Sequence, residues 1–182
     1  LTAGGAAVMQ GDGVLIGIDP ANGTERWQLE LPESAMRYVT PFDAGYACLT
    51  ETGSQLFVAA NQELWQVDAY SGNVLNKTRV EGEDARWGYV AEAGDYLFAS
   101  VMKSSAPRTA TDNKTRFSYV DSDYRSERPL VTSRRFDKLT LDGSRIWSYT
   151  PRGVILNGTI ALSGQQVVFV ESRSKNCVQH KT

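Results

Sequence analysis

Histidine and cysteine are almost missing from this chain. The one histidine, His180, stands in the polar C-terminal tail, and the two cysteines, Cys48 and Cys177, lie 129 positions apart. So sparse a supply excludes a dense disulfide framework, a cysteine-based zinc site and most histidine-dependent acid–base chemistry. Long apolar runs are missing too. Leu56-Phe57-Val58-Ala59-Ala60 is among the longest, far short of the roughly 20 residues a membrane helix needs. No basic stretch leads into an apolar one at the first residues, so no signal peptide is read there. Nor is there an excess of one charge. The 19 Lys+Arg nearly balance 21 Asp+Glu, which gives no reason to expect nucleic acid or an anionic membrane as partner. No Gly-x-Ser-x-Gly, no phosphate loop and no paired carboxylates apart from turn acids occur.

What is present is a globular composition, 41% hydrophobic and 22% charged over 182 residues, too apolar for intrinsic disorder. It is organised by internal repeats. Leu15 to Asp19, then Pro20-Ala21-Asn22-Gly23, then Thr24-Glu25-Arg26-Trp27 forms one copy. Leu64 to Asp68, then Ala69-Tyr70-Ser71-Gly72, then Asn73-Val74-Leu75 forms a second. Lys138 to Asp142-Gly143, then Ser144-Arg145-Ile146-Trp147 is a shorter third. Each reads as an alternating strand, an Asp, a glycine-containing turn and a second strand. The repeated Asp is a turn residue: its carboxylate accepts backbone amides ahead of it, and the glycine takes the positive φ that closes the turn. Further strands are expected at Tyr46–Thr50, Leu56–Ala60, Trp87–Glu92, Tyr96–Met102 and Val167–Glu171. No stretch keeps a capped 3.6-residue period, so almost no helix is expected. Asp19 and Asp68 are 49 residues apart, the length of one four-stranded propeller blade at about 40–50 residues. Asp68 and Asp142 are 74 apart, a blade plus an insertion.

The run Ile18-Asp19-Pro20-Ala21-Asn22-Gly23-Thr24-Glu25-Arg26-Trp27 resembles the pyrroloquinoline quinone-like (PQQ-like) β-propeller repeat. Val67 to Gly72 is a second copy, with Asn76 where the family usually has Trp, and Leu141 to Trp147 an abbreviated third. The resemblance implies an all-β fold, a β-propeller of four-stranded antiparallel blades, present here as a partial propeller of about three blades. Residues 1–31 are then expected to end one blade, 36–80 to form a second, 86–149 a third, and 154–182 to start a fourth. Such propellers close with more blades than this, so the chain is expected to be part of a larger one, and the remaining blades of the parent chain are its first partners. Enzymes of the family hold the quinone between a Trp and a disulfide of adjacent cysteines, beside a metal ion with acidic and Asn ligands. Cys48 and Cys177 are not adjacent, and Trp27, Trp65, Trp87 and Trp147 are accounted for by blade packing. No cofactor, metal or catalytic residue is therefore assigned.

Residues 103–135 break the strand rhythm. They carry eight basic side chains (Lys103, Arg108, Lys114, Arg116, Arg125, Arg128, Arg134, Arg135) against four acids (Asp112, Asp121, Asp123, Glu127), while the whole chain is at −2. Phe117, Tyr119 and Tyr124 interleave with them. A polar loop this long is functional or disordered. Its functional reading is a binding loop for a protein, glycan or anionic surface, with Arg116, Tyr119, Tyr124, Arg125, Arg128, Arg134 and Arg135 as candidate contacts. Asp121-Ser122-Asp123 with Glu127 lacks the glycine and the alternating oxygen ligands of a calcium loop. Four Asn-x-Thr acceptors, at Asn22, Asn76, Asn113 and Asn157, favour an extracellular or periplasmic location. The function expected is a non-catalytic binding or scaffold module of a larger exported protein. The alternative kept open is a structural part of a larger secreted enzyme whose catalytic residues lie elsewhere, with a quinoprotein dehydrogenase behind it.

Overall fold

The structure, a computed structural model, describes residues 2–11, 13–32, 49–83, 85–102, 132–164 and 166–173. The described residues form antiparallel sheets that follow one another along the chain. The first holds β1 (Thr2–Ala3), β2 (Ala6–Gly11), β3 (Val14–Ile18) and β4 (Glu25–Glu30) in that order. The second holds β5 (Leu49–Thr52), β6 (Gln55–Ala60), β7 (Glu63–Asp68) and β8 (Val74–Arg79), also in order. The third is built from β9 (Trp87–Ala93), β10 (Tyr96–Met102), β11 (Thr132–Thr140) and β12 (Arg145–Tyr149). Here β11 is long enough to serve two neighbours. Its last residues pair with β12, while Thr132 and Ser133 pair with β13 (Val154–Leu156). A hairpin of β14 (Ala161–Ser163) and β15 (Gln166–Val168) follows, and β16 (Glu171–Ser172) pairs back onto β13. The only helical turn among the described residues is a 3-10 turn, Asn157–Thr159. This is an all-β, partial β-propeller, and the sheets of the described residues do not close into a ring.

The first 31 residues hold a four-stranded sheet, whose first two strands the sequence left unread. It concealed them because β1 is two residues long and β2 is built on Ala6, Ala7 and Val8, small residues with weak strand signals. The middle strands are easier to explain. Leu56 and Val58 face the first sheet while Phe57 and Ala59 face the third, so β6 is buried on both sides. A strand covered on both faces reads as a continuous apolar run instead of an alternation. Three cores result, one at each junction. Leu15, Trp27, Leu56, Trp65 and Val67 fill the first; Phe57, Leu64, Val90, Leu97 and Leu139 fill the second. Phe98, Phe136 and Ile155 meet Leu162 and Val167 of the β14–β15 hairpin, and Phe169 just after it, in the third.

Trp27 ties the first two sheets together. It stands opposite Gly17 on β3, and its indole lies so close that a Cβ on Gly17 would fall 2.2 Å from the ring. On the other side the ring meets Gly72 of the next sheet's turn, where a Cβ would fall 2.6 Å away; its Nε1–H donates to the Ala69 carbonyl at 3.0 Å. Gly72 is doubly constrained, because it also takes a φ of 74°, a region that costs any residue with a Cβ. At the second junction Asn76 keeps the hydrogen bond without the ring: its Nδ2–H donates to the Asp142 carbonyl at 3.0 Å. Thr78 fills the space against Gly143. At the third, Trp147 rests edgewise on Phe98, at 6.5 Å between ring centres, but stays 37% exposed. One ring is thus enclosed on both sides and the other on one.

The turn acids do what their positions imply. Asp68 Oδ1 accepts from the Ser71 amide at 2.8 Å and the Ser71 hydroxyl at 2.7 Å. Asp19 Oδ1 accepts from the Ala21 amide, and its Oδ2 pairs with Arg26 at 2.7 Å. At the edge of the third core, Glu171 accepts from the Tyr149 hydroxyl, the Gly153 amide and Arg173.

Trp27→Ala is expected to cost about 3–5 kcal/mol, and Trp147→Ala about 1–2 kcal/mol given its partial exposure, as read by urea denaturation. Equal losses would contradict the seating of Trp27. The Ser71 donors hold Asp68 below the usual carboxylate range, Arg26 does the same for Asp19, and Arg173 with Tyr149 for Glu171. Folded values that are depressed give stability that is present above the unfolded pKa and lost as pH falls through the folded one. The melting temperature is thus expected to hold above about pH 5 and to fall on further acidification, with a shallower fall in Asp68→Asn.

Candidate binding site at the base of the polar insertion

Strands alternate in direction, so the connections β4 to β5 and β10 to β11 leave the sheets at one end, the end opposite the Asp19, Asp68 and Asp142 turns. The polar insertion departs after Met102 and returns at Thr132. Of its candidate contacts, Arg116, Tyr119, Tyr124, Arg125 and Arg128 lie outside the described residues, as do Asp121, Asp123 and Glu127. Arg134 and Arg135 do not belong to a loop: both sit on β11, where Arg135 is opposite Val101 of β10. Arg134 is exposed. Arg135 is committed to the fold. Its Nε and Nη2 both donate to Asp137 Oδ2 at 2.9 Å, and the Ser148 hydroxyl donates to Asp137 Oδ1 at 2.6 Å. Asp137 is fully buried, and a buried carboxylate stripped of its cation is costly.

A buried polar knot stiffens this base. Ser133, the second residue after the insertion, donates to Asn157 Oδ1 at 2.6 Å. Asn157 Nδ2 donates to Ser100 Oγ at 3.2 Å, and the Tyr89 amide donates to the same oxygen at 2.9 Å. Ser100, Ser133 and Asn157 are all fully buried. Gly88 makes room for them, since a Cβ there would fall 2.9 Å from Asn157 Nδ2 and 3.0 Å from Ser100 Oγ. Four elements (β9, β10, β11 and the 3-10 turn) are thus fixed to one another directly below the departure of the insertion. The sequence presented Asn157 only as a glycan acceptor. Its Asn-Gly-Thr pattern was visible, but its burial comes from β11 reaching across to β13, which no local pattern announces. Of the other acceptors, Asn22 is exposed and accepts from the Thr24 amide and hydroxyl, and Asn76 is engaged with Asp142; Asn113 lies outside the described residues.

Basic charge continues onto the neighbouring surface. Arg145 on β12 pairs with Glu81 at 2.7 Å, and with Arg135 as a further, smaller influence it holds Glu81 below the usual carboxylate range. Lys138 lies 3.6 Å above the Tyr96 ring. Among the described residues no three His, Cys, Asp or Glu side chains converge as a metal site would require.

A quinone seat of the family type does not fit the residues on hand. Cys48, Cys177 and His180 lie outside the described residues, and the two cysteines are not neighbours in sequence. The indoles are occupied by packing: Trp27 between Gly17 and Gly72, Trp65 bonded to Glu63 and covered by Lys77, Trp87 donating to the Thr78 carbonyl, Trp147 against Phe98.

No protein-family model matches the chain, and no curated protein does. Among solved structures it is similar to a europium-containing methanol dehydrogenase, at 13% identity and a TM-score of 0.52 over 84% of this chain and 24% of that one. A quinohemoprotein alcohol dehydrogenase from Comamonas testosteroni matches at 15% identity and a TM-score of 0.45, over 81% of this chain and 20% of that one. The β-propeller domain of Myceliophteria thermophila Swd1 matches at 15% identity and 0.42, over 91% and 59%. The likeness to the methanol dehydrogenase is one of fold, and the chain spans about a quarter of that protein's length.

Asn157→Ala is expected to destabilise by about 1–3 kcal/mol, because it leaves Ser133 and Ser100 short of partners in a buried site. Asn22→Ala, at an exposed turn, should cost less. Chemical denaturation of the two variants separates them, and the reverse order would refute the knot.

Proposed function

We propose that the chain is a non-catalytic binding or scaffold segment of a larger, exported PQQ-like β-propeller, and that the polar insertion between β10 and β11 is its partner-contacting surface. The observation that carries this reading is the pairing of a rigid base with a charged, aromatic-bearing insertion. The Ser100–Ser133–Asn157 knot and the Arg135–Asp137 pair fix both ends of the segment, and the segment itself is rich in Arg and Tyr. Loops on a stiff scaffold are where binding surfaces are usually built. Arg and Tyr in turn suit partners that offer carboxylates, phosphates or sugar hydroxyls.

The outer-turn acids serve the fold: turn donors and Arg26 hold Asp19, Asp68 and Asp142 below the usual carboxylate range, and Arg173 with Tyr149 does the same for Glu171. In this reading 1–31 ends one blade, 36–80 and 86–149 are the next two, and 154–182 begins another, completed by the remaining blades of the parent chain.

The test is charge reversal of Arg116, Arg125 and Arg128 together, with Arg134→Glu added separately. Arg135 is left intact because its pairing with buried Asp137 would confound folding with binding. The expected result is an unchanged melting temperature and a weaker, less salt-dependent retention on heparin and on anionic vesicles. Retention equal to the parent chain would remove the insertion from the binding surface.

A further inference from the structure

The Asn-x-Thr acceptors at Asn22, Asn76 and Asn157 lie among the described residues, and the fold treats each one differently. A glycan is carried on the asparagine Nδ2, and its bulk needs open surface around that atom. Asn157 offers none. It is fully buried, its Nδ2 donates to Ser100 and its Oδ1 accepts from Ser133. Thr159 of the same pattern is committed as well, donating to the Leu156 carbonyl at 2.7 Å and accepting the Val170 amide at 2.9 Å. Asn76 is exposed but engaged. Its Nδ2 donates to the Asp142 carbonyl at 3.0 Å, and its Oδ1 accepts the Lys77 amide at 2.8 Å. Thr78 stands so near the same turn that a Cβ on Gly143 would fall 1.9 Å from its Oγ1. A sugar on Asn76 would have to push the Asp142–Gly143 turn away from the second sheet.

Asn22 is built the other way. Its Oδ1 accepts the Thr24 amide at 2.9 Å and the Thr24 hydroxyl at 2.7 Å, so the carboxamide is fixed through its oxygen while its Nδ2 donates to no group among the described residues. Asn22, Gly23 and Thr24 are all exposed, and a Cβ built on Gly23 meets nothing within 4 Å. The exposure of Asn22 does not require the turn to be bare. Ser71 holds the same position in the second sheet's turn, and it is exposed although the Trp27 indole covers Gly72 beside it. A neighbouring blade packed on the Asp19–Gly23 turn therefore leaves Asn22 at the surface.

We propose that Asn22 is the attachment site of an N-linked glycan, and that Asn76 and Asn157 owe their Asn-x-Thr patterns to turn and core hydrogen bonding. The sugar donor is a lipid-linked oligosaccharide pyrophosphate. Asn22 Nδ2 bonds to the anomeric carbon, the bond from that carbon to the pyrophosphate oxygen breaks, the lipid pyrophosphate leaves, and Nδ2 gives up one of its two protons. The glycan then stands on the β3–β4 turn, at the end opposite the polar insertion. It shields one end of the sheets without obstructing the partner surface at the other. This rests on the reading of the chain as part of an exported protein.

The test sends the 182-residue chain through a eukaryotic secretory pathway behind an added leader, with an Asn-Gly-Thr tag at its C-terminus. Only secreted molecules glycosylated on the tag are scored, since these have met the transferase. Peptide-N-glycosidase in heavy-oxygen water then marks each formerly glycosylated asparagine by mass. Asn22 is expected to be marked in most molecules, and Asn76 and Asn157 to be unmarked. Asn22→Asp should lose this glycan and keep the melting temperature, because a carboxylate oxygen can accept the same two Thr24 donors. A bare Asn22 beside a glycosylated tag overturns the proposal. So does a glycan on Asn76 or Asn157 in protein that melts like the unglycosylated chain. Because the added leader delivers the chain, a bare Asn22 counts against this site and leaves the export reading standing. Retention on heparin and vesicles, which tests the insertion, should be the same in Asn22→Asp, so the two proposals fail separately.

Discussion

The enclosure of the Trp27 indole between Gly17 of its own sheet and Gly72 of the next is the contact on which the arrangement of sheets depends. A single large ring reaches both sheets, buries most of its surface and satisfies its one polar atom on the Ala69 carbonyl. Such an anchor fixes distance and register together, because the indole cannot slide without losing its acceptor or striking a backbone that has no side chain to yield. It also explains the glycines of the repeat as matters of close approach as well as of dihedral angle. Gly17 has an ordinary strand conformation and is required only by the ring above it.

The other junctions are variations under the same constraint. Asn76 retains the hydrogen bond but gives up the ring, and the space is taken by Thr78 against Gly143 and by Trp87 from the third sheet. Where the third sheet meets the β14–β15 hairpin, the stabilisation passes to the aromatic group of Phe98, Phe136, Trp147 and Phe169 and to the Glu171 cluster. The β13–β16 ladder adds backbone pairing there. This junction lends the insertion its stiff base, since β11 is shared between β12 and β13 and the Ser133–Asn157 bond closes the corner.

Much of the architecture was legible in the sequence. The Asp and Gly of each repeat marked the positions of the outer turns, and the alternation of Leu64 to Asp68 and of Leu15 to Asp19 placed β7 and, to within a residue, β3. The short β1 and β2 were not legible, because Ala and Gly carry little strand signal when neighbouring sheets supply the burial. The site was legible only in part. The excess of Arg and Tyr marked the insertion, but the assignment of Arg134 and Arg135 to a loop failed because charge alone does not tell a strand from a loop. That Arg135 pairs with Asp137 and stands opposite Val101 becomes visible only once β11 is known to be a strand in register with β10. Asn157 shows the same limit from the other side: its role as a buried hydrogen-bonding hub depends on three segments far apart in sequence.

The central claim is that the sheets are locked by a buried indole, and hydrogen exchange of that indole tests it directly. The Trp27 Nε1–H, bonded to Ala69 and enclosed on both faces, should exchange only through global unfolding, at the rate of the most protected core amides such as those of β6. The half-exposed Trp147 Nε1–H should exchange orders of magnitude faster. Exchange of Trp27 at the rate of Trp147 would mean that the first two sheets part without unfolding, and it would contradict the account.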